Sequence, residues 1–112
     1  MSGLKLKTFL YKIFVQPVKL RKCSKKGVRY LEIGPGEKRI SGFETMNTLL
    51  INETDFIGQL GYKLPFKDAS FDLVYMSHVL EHIFWHKLEG TIQEVARIIK
   101  KMEQLKFGYL MV

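Results

Sequence analysis

The chain has a single cysteine, Cys23, in 112 residues, and not one acidic residue among its first 27. The first scarcity excludes an internal disulfide framework and fits a reducing cytoplasm. A lone cysteine in a lysine-rich stretch is expected to be exposed, and no role is assigned to it. The second scarcity divides the charge. Residues 1–27 carry eight Lys or Arg, whereas residues 28–112 carry ten bases against eleven acids. The formal net charge of +7 therefore belongs to an N-terminal arm, and the body is close to neutral. A neutral body without a basic stripe argues against a nucleic-acid-binding domain of the usual electrostatic kind, so no nucleic-acid partner is expected. Internal repeats and low-complexity segments are also missing, and no apolar run approaches the ~20 residues that a membrane span requires.

What is present suits one small globular domain. The composition is 46% hydrophobic, 26% charged and 12% aromatic, and a chain of this size buries roughly 65% of the surface it exposes when unfolded. The arm, residues 1–27, places Leu6, Phe9, Leu10, Ile13 and Phe14 at i, i+3, i+4, i+7 and i+8, with Lys5, Lys7 and Lys12 largely off that stripe. This pattern predicts a basic amphipathic helix, ended by Pro17. Lys12 interrupts its apolar run, so neither a signal peptide nor a spanning helix is expected. Residues 4–26 can contact an anionic membrane surface peripherally, or pack as a leading helix on their own domain or on a partner; docking is the favoured reading.

Along the body, "VRYLEI" at 28–33 reads as a strand stopped by a Gly-Pro-Gly turn. "GFETMN" at 42–47, "DFIGQL" at 55–60 and "SFDLVYMS" at 70–77 are further strands. From residue 87 to 101 the period becomes helical, with Leu88, Ile92, Val95, Ala96 and Ile99 recurring among Lys, Glu and Gln; residues 79–86 read as a separate helical turn or two. The run "LKFGYLMV" reads as a last strand, weakened by Gly108. Strands separated by loops and a helix, with buried-looking runs, imply an α/β fold with a mostly parallel sheet.

"LEIGPGEK" is the best candidate for a cofactor site. A glycine-rich turn at the carboxyl end of a first strand lets a ligand approach the backbone without Cβ obstruction. Glu32 sharpens the signal, because an acid in a buried parallel strand needs a partner and a cofactor's ammonium group is one. The other candidate is "SHVLEH" at 77–82. His78, Glu81 and His82 spell H-x-x-E-H, the signature of an inverted zinc peptidase, yet a helix puts i, i+3 and i+4 on one face whatever those side chains do. Only thirty residues follow His82, and none of His86, Glu89, Glu94 or Glu103 has a motif around it as a third ligand. No metal is therefore assigned.

In combination, "YLEIGPG", "LPFKDASFDLVYMSHVLEHI" and "EVARIIKK" resemble the class I S-adenosylmethionine-dependent methyltransferases, most closely the methyltransferase-11-type branch associated with surface-polysaccharide and sugar biosynthesis. The resemblance covers residues 28 to about 101. It implies a partial methyltransferase domain over 28–112, with a Rossmann-like sheet and S-adenosyl-L-methionine over the ends of the first two strands. Glu32, Gly34 and Gly36 would form the first motif. Asn47 stands where the family has an acid for the ribose hydroxyls, and Gln59 where it has one facing the adenine amine. Lys38 takes the usual third glycine position, and Asn47 lies only 13 positions after Gly34, so the first helix should be a stub or a loop.

In this reading Ser77 caps the helix after the fourth strand, His78 is the candidate general base for a hydroxyl acceptor, and Glu81 starts a surface facing substrate or solvent. The block is also similar to the metal-holding E-x-x-E-H of small-RNA 2′-O-methyltransferases, with His78 replacing the first Glu, but the neutral body offers no RNA surface. The implied function is methyl transfer to a small-molecule or sugar acceptor by a cytoplasmic enzyme; the alternative is a degenerate, non-catalytic binding domain. The resembled sheet has seven strands and this chain reaches a fifth, which implies truncation. Its open edge would need cover from the N-terminal helix or from a second copy of the chain.

Overall fold

A computed structural model describes residues 3–25, 27–35, 40–51, 54–76, 83, 85–101 and 105–107. Five strands, β1 (Tyr30–Ile33), β2 (Phe43–Asn47), β3 (Phe56–Ile57), β4 (Leu73–Met76) and β5 (Leu105–Phe107), form one sheet in the order β3-β2-β1-β4-β5. Every pairing is parallel, with Leu31 opposite Glu44 and Val74, and Ile33 opposite Met46 and Met76. The architecture is a Rossmann-like α/β sheet, as the alternation of β-rich runs with a helical period predicts. Nine residues link β1 to the parallel β2, too few for the usual helical crossover. The stub or loop expected here falls partly on residues 36–39, which lie outside the described residues.

Register partners in a parallel sheet share a face. Leu31, Ile33, Met46, Phe56, Val74 and Met76 thus line one side, and all six belong to the buried core. Helix α3 (Leu88–Ile98) covers this face through Val95 and Ile98. Phe56, Phe66 and Phe71 fill the space beneath in edge-to-face pairs, with centroids 5.1 and 4.8 Å apart. The buried stripe of α3 is Thr91, Val95 and Ile98, rotated from the expected one: Leu88 and Ile92 are exposed. Thr91 can be buried because its hydroxyl donates to the Lys87 carbonyl one turn back, at 2.9 Å.

Three boundaries also differ from expectation. Val28 is exposed and β1 begins at Tyr30; β3 is only two residues long; β4 begins at Leu73, with Phe71 instead making an isolated parallel bridge to Ile99. Arg29, just before β1, is buried and forks onto Glu44, with Nε and Nη2 donating at 2.9 and 2.8 Å, while its guanidinium lies 4.4 Å from the Phe71 ring centroid.

The N-terminal arm is helical from Gly3 to Cys23, so Pro17 does not end it. Helix α1 (Gly3–Leu10) widens into a π-turn (Tyr11–Val15) and continues as α2 (Gln16–Cys23). Within the π-turn the Gln16 N–H reaches back to the Tyr11 carbonyl. The missing N–H of Pro17 and its bulk against the preceding turn are accommodated where the helix is already wide. The wide turn also resets the helical phase. Eight residues of regular α-helix would leave Gln16 about 80° round from Thr8, yet both are buried.

From Thr8 to Lys19 the docked face of the arm is held by polar side chains, with Leu20 and Cys23 packing on the core in its last turn. Thr8 accepts from the Leu50 N–H (2.9 Å), the Tyr11 hydroxyl donates to the Asp55 carbonyl (2.6 Å), and Lys19 donates to the Asp55 carboxylate (2.9 Å). Gln16 makes paired bonds with the backbone of Ile57. The arm therefore covers the β3 edge. It does not cover the β5 edge for which the sequence suggested it, since the strand order puts the two at opposite ends of the sheet. Cys23 is buried, contrary to expectation, because the last turn of α2 turns it with Leu20 onto the core.

Candidate functional site

The carboxyl ends of β1, β2 and β3 open into one cavity of about 370 Å³. In a parallel α/β sheet this is where ligands bind, because strand ends present free backbone groups and loops diverge there. Ile33 and Gly34 come from the end of β1 and the turn after it, Met46, Asn47 and Thr48 from the end of β2 and just beyond, and Gly58, Gln59 and Leu60 from the segment that follows β3. Tyr62, Ile83 and Lys87 complete the wall.

Two glycines shape it. Gly34 has φ 69°, the left-handed region that a side chain resists, and its N–H is held by the Met46 carbonyl at 2.9 Å. Gly58 donates to the Asn47 carbonyl at 3.0 Å, and a Cβ there would come within 2.5 Å of the Met46 sulfur and 3.2 Å of the Pro65 ring. The cavity floor is thus backbone drawn tight between β1, β2 and β3. At the mouth, the Lys87 ammonium lies 3.7 Å from the Tyr62 ring centroid, tying the loop after β3 to the start of α3.

The structure brings three of the sequence-predicted residues, Gly34, Asn47 and Gln59, around this one cavity. Asn47 is half-buried, its amide donating to the Thr54 hydroxyl at 3.5 Å, and Gln59 is exposed. Glu32 is not on the cavity wall. It points from the opposite face of β1, is only 4% exposed, and accepts from the Ile40 N–H beyond the glycine turn. Its Oε1 is buried without a hydrogen-bond partner. Burial, opposed in part by that one N–H, raises the carboxyl above the ordinary glutamate value. Gly36, His78, Glu81 and His82 lie outside the described residues.

Residues 20–105 match the methyltransferase domain family. The chain belongs to it. No solved structure matches the chain. Members of this methyltransferase family typically use S-adenosylmethionine, and the described residues fit that group in two respects. The cavity floor has glycine where a Cβ would be strained, at Gly34, or would clash, at Gly58, and side-chain amides from Asn47 and Gln59 line the same cavity.

The sequence reading overlooked Thr48, Leu60, Tyr62, Ile83 and Lys87. Gly58 carried a signal, since an isolated glycine in a strand pattern marks a close backbone approach. Tyr62 and Lys87 carried none, because their contact spans 25 positions and depends on how α3 is seated.

Proposed function

We propose that this methyltransferase domain transfers a methyl group from S-adenosylmethionine to a hydroxyl of a small molecule, with a sugar as the acceptor class. The observation that carries the reading is the single cavity over three adjacent strand ends, where Gly34, Asn47 and Gln59 converge.

The Gly34 turn leaves room for the methionine part of the cofactor against the backbone; Glu32, buried on the other face of β1, would have to turn toward the cavity to receive its ammonium. Asn47 offers hydrogen bonds to the ribose hydroxyls and Gln59 to the adenine amine; as neutral amides they bind these less strongly than carboxylates do. When bound, S-adenosylmethionine supplies an electrophilic methyl carbon on a sulfonium. Tyr62 and Lys87 stand at the mouth, where an acceptor would enter. His78, two residues beyond the end of β4, is the residue that the sequence offers to take the hydroxyl proton as the oxygen–carbon bond forms.

Incubation with methyl-tritiated S-adenosylmethionine and a panel of free and nucleotide-linked sugars tests the reading. Label in a sugar, with stoichiometric S-adenosylhomocysteine, is expected. Cofactor binding with no transfer to any hydroxylated acceptor would instead mark a binding domain. Unchanged turnover in His78→Ala would remove that residue from the chemistry.

A further inference from the structure

From Thr8 to Lys19 the arm docks through polar side chains, only Leu20 and Cys23 at its end meet the core, and the apolar stripe before them is left facing out. Leu6, Phe9, Leu10, Ile13, Phe14 and Val18 are all exposed, Phe9 at 52% and Phe14 at 70%. This inverts the usual arrangement of an amphipathic helix on a globular domain, in which the apolar face is buried. The inversion is enforced by specific bonds. Thr8, Tyr11, Gln16 and Lys19 each hold a partner in residues 50–57.

From these observations we infer that the outward face of residues 3–23 is a docking surface for an anionic lipid bilayer, on which the domain lies peripherally. Three features select this occupant. The apolar stripe is accompanied by exposed cations, Lys7, Lys12, Arg21 and Lys22 among them, and no acid occurs in residues 1–27. Such a surface is complementary in charge to acidic headgroups. A second copy of the same face would set cation against cation, which opposes self-association. The helix is also already folded against the β3 edge, so insertion carries little of the ordering cost that a free amphipathic peptide meets at a membrane.

The stripe is a convex cylinder carrying two phenylalanines, a shape that acyl chains accommodate without a matching groove. Among the described residues no helix is long and apolar enough to cross a membrane, so the contact is with one leaflet. This inference is independent of the methyl-transfer reading, because the docked face of the helix and the cavity share no residue.

The test is flotation of the full chain with vesicles of phosphatidylcholine alone and of phosphatidylcholine with about one-third phosphatidylglycerol. Binding to the anionic vesicles, weak binding to the neutral ones, and a decline between roughly 50 and 200 mM salt are expected. Replacing Phe9 and Phe14 together by Ser should lower anionic-vesicle binding by more than about tenfold. Because both side chains are exposed, the variant's thermal unfolding should match the parent's. A chain that stays with the buffer, that binds both vesicles equally, or whose Ser variant binds as well as the parent would overturn the inference. So would a solution dimer, or a complex with an acidic protein, that forms through this face while vesicles are ignored.

Discussion

The side-chain amide of Gln16 behaves as a short strand toward Ile57, accepting from its N–H at 2.7 Å and donating to its carbonyl at 3.0 Å. An edge strand of two residues would otherwise leave these groups unpaired in a buried setting, where each lost bond costs about 1–3 kcal/mol. One side chain thereby closes the sheet edge and sets which face of the helix looks outward. Gln16→Ala should lower stability by about 2–3 kcal/mol. Urea unfolding should show an earlier midpoint at unchanged slope.

Gly58 and Met46 form the tightest point of the cavity floor. In Gly58→Ala the added Cβ must displace the Met46 thioether or lift the end of β3. Methionine is flexible enough to absorb part of this, so the stability loss should stay near 1–2 kcal/mol. S-adenosylmethionine affinity should fall by more than about tenfold, because Met46, Asn47 and Gly58 share the wall. Equilibrium binding alongside a denaturation curve separates the two effects.

Glu32 makes an unusual pairing of outcomes. Its carboxyl is raised above 4.5 chiefly by burial, so the folded state holds a proton that the unfolded chain has already released. Its contribution to stability is therefore present at low pH and is lost as pH rises from the unfolded value through the folded one. Glu32→Gln keeps an acceptor for the Ile40 N–H and removes the buried charge. Stability at neutral pH should increase, while S-adenosylmethionine affinity falls and loses its pH dependence. Denaturation and calorimetry at several pH values read both effects.

Glu94 has the opposite sign. Its bond to Arg97 holds the carboxyl below 4.5, aided by the Leu64 N–H. That stabilisation is complete above the unfolded value and is lost as pH falls through the lowered folded one. Arg97 also donates to the carbonyls of Phe66 and Leu64, clamping the turn before β4 onto α3. Arg97→Ala should cost about 2–4 kcal/mol at neutral pH and flatten the acid limb of the stability profile.

The legible parts were those written in local pattern. Five strands announced themselves as β-rich runs, and "LEIGPG" marks the glycine turn at the end of β1. Asn47 and Gln59 could be placed at the cavity because strand order follows from the resemblance, and strand ends follow from order. The failures came from tertiary contacts. Pro17 looked like a stop because a regular helix cannot absorb it, whereas the π-turn at Tyr11–Val15 can. The apolar stripe of the arm looked like a packing face, but side-chain bonds from Thr8, Gln16 and Lys19 outcompeted it. On α3, Thr91 replaced the expected Leu88 and Ile92 because its hydroxyl finds a carbonyl within its own helix.

The most direct test is titration calorimetry of the full chain with S-adenosylmethionine and with S-adenosylhomocysteine. A single saturable site of roughly 1–100 μM is predicted for each, with competition between the two and marked weakening in Gly58→Ala. Absence of heat and of competition up to millimolar ligand would contradict a cofactor site over the ends of β1, β2 and β3.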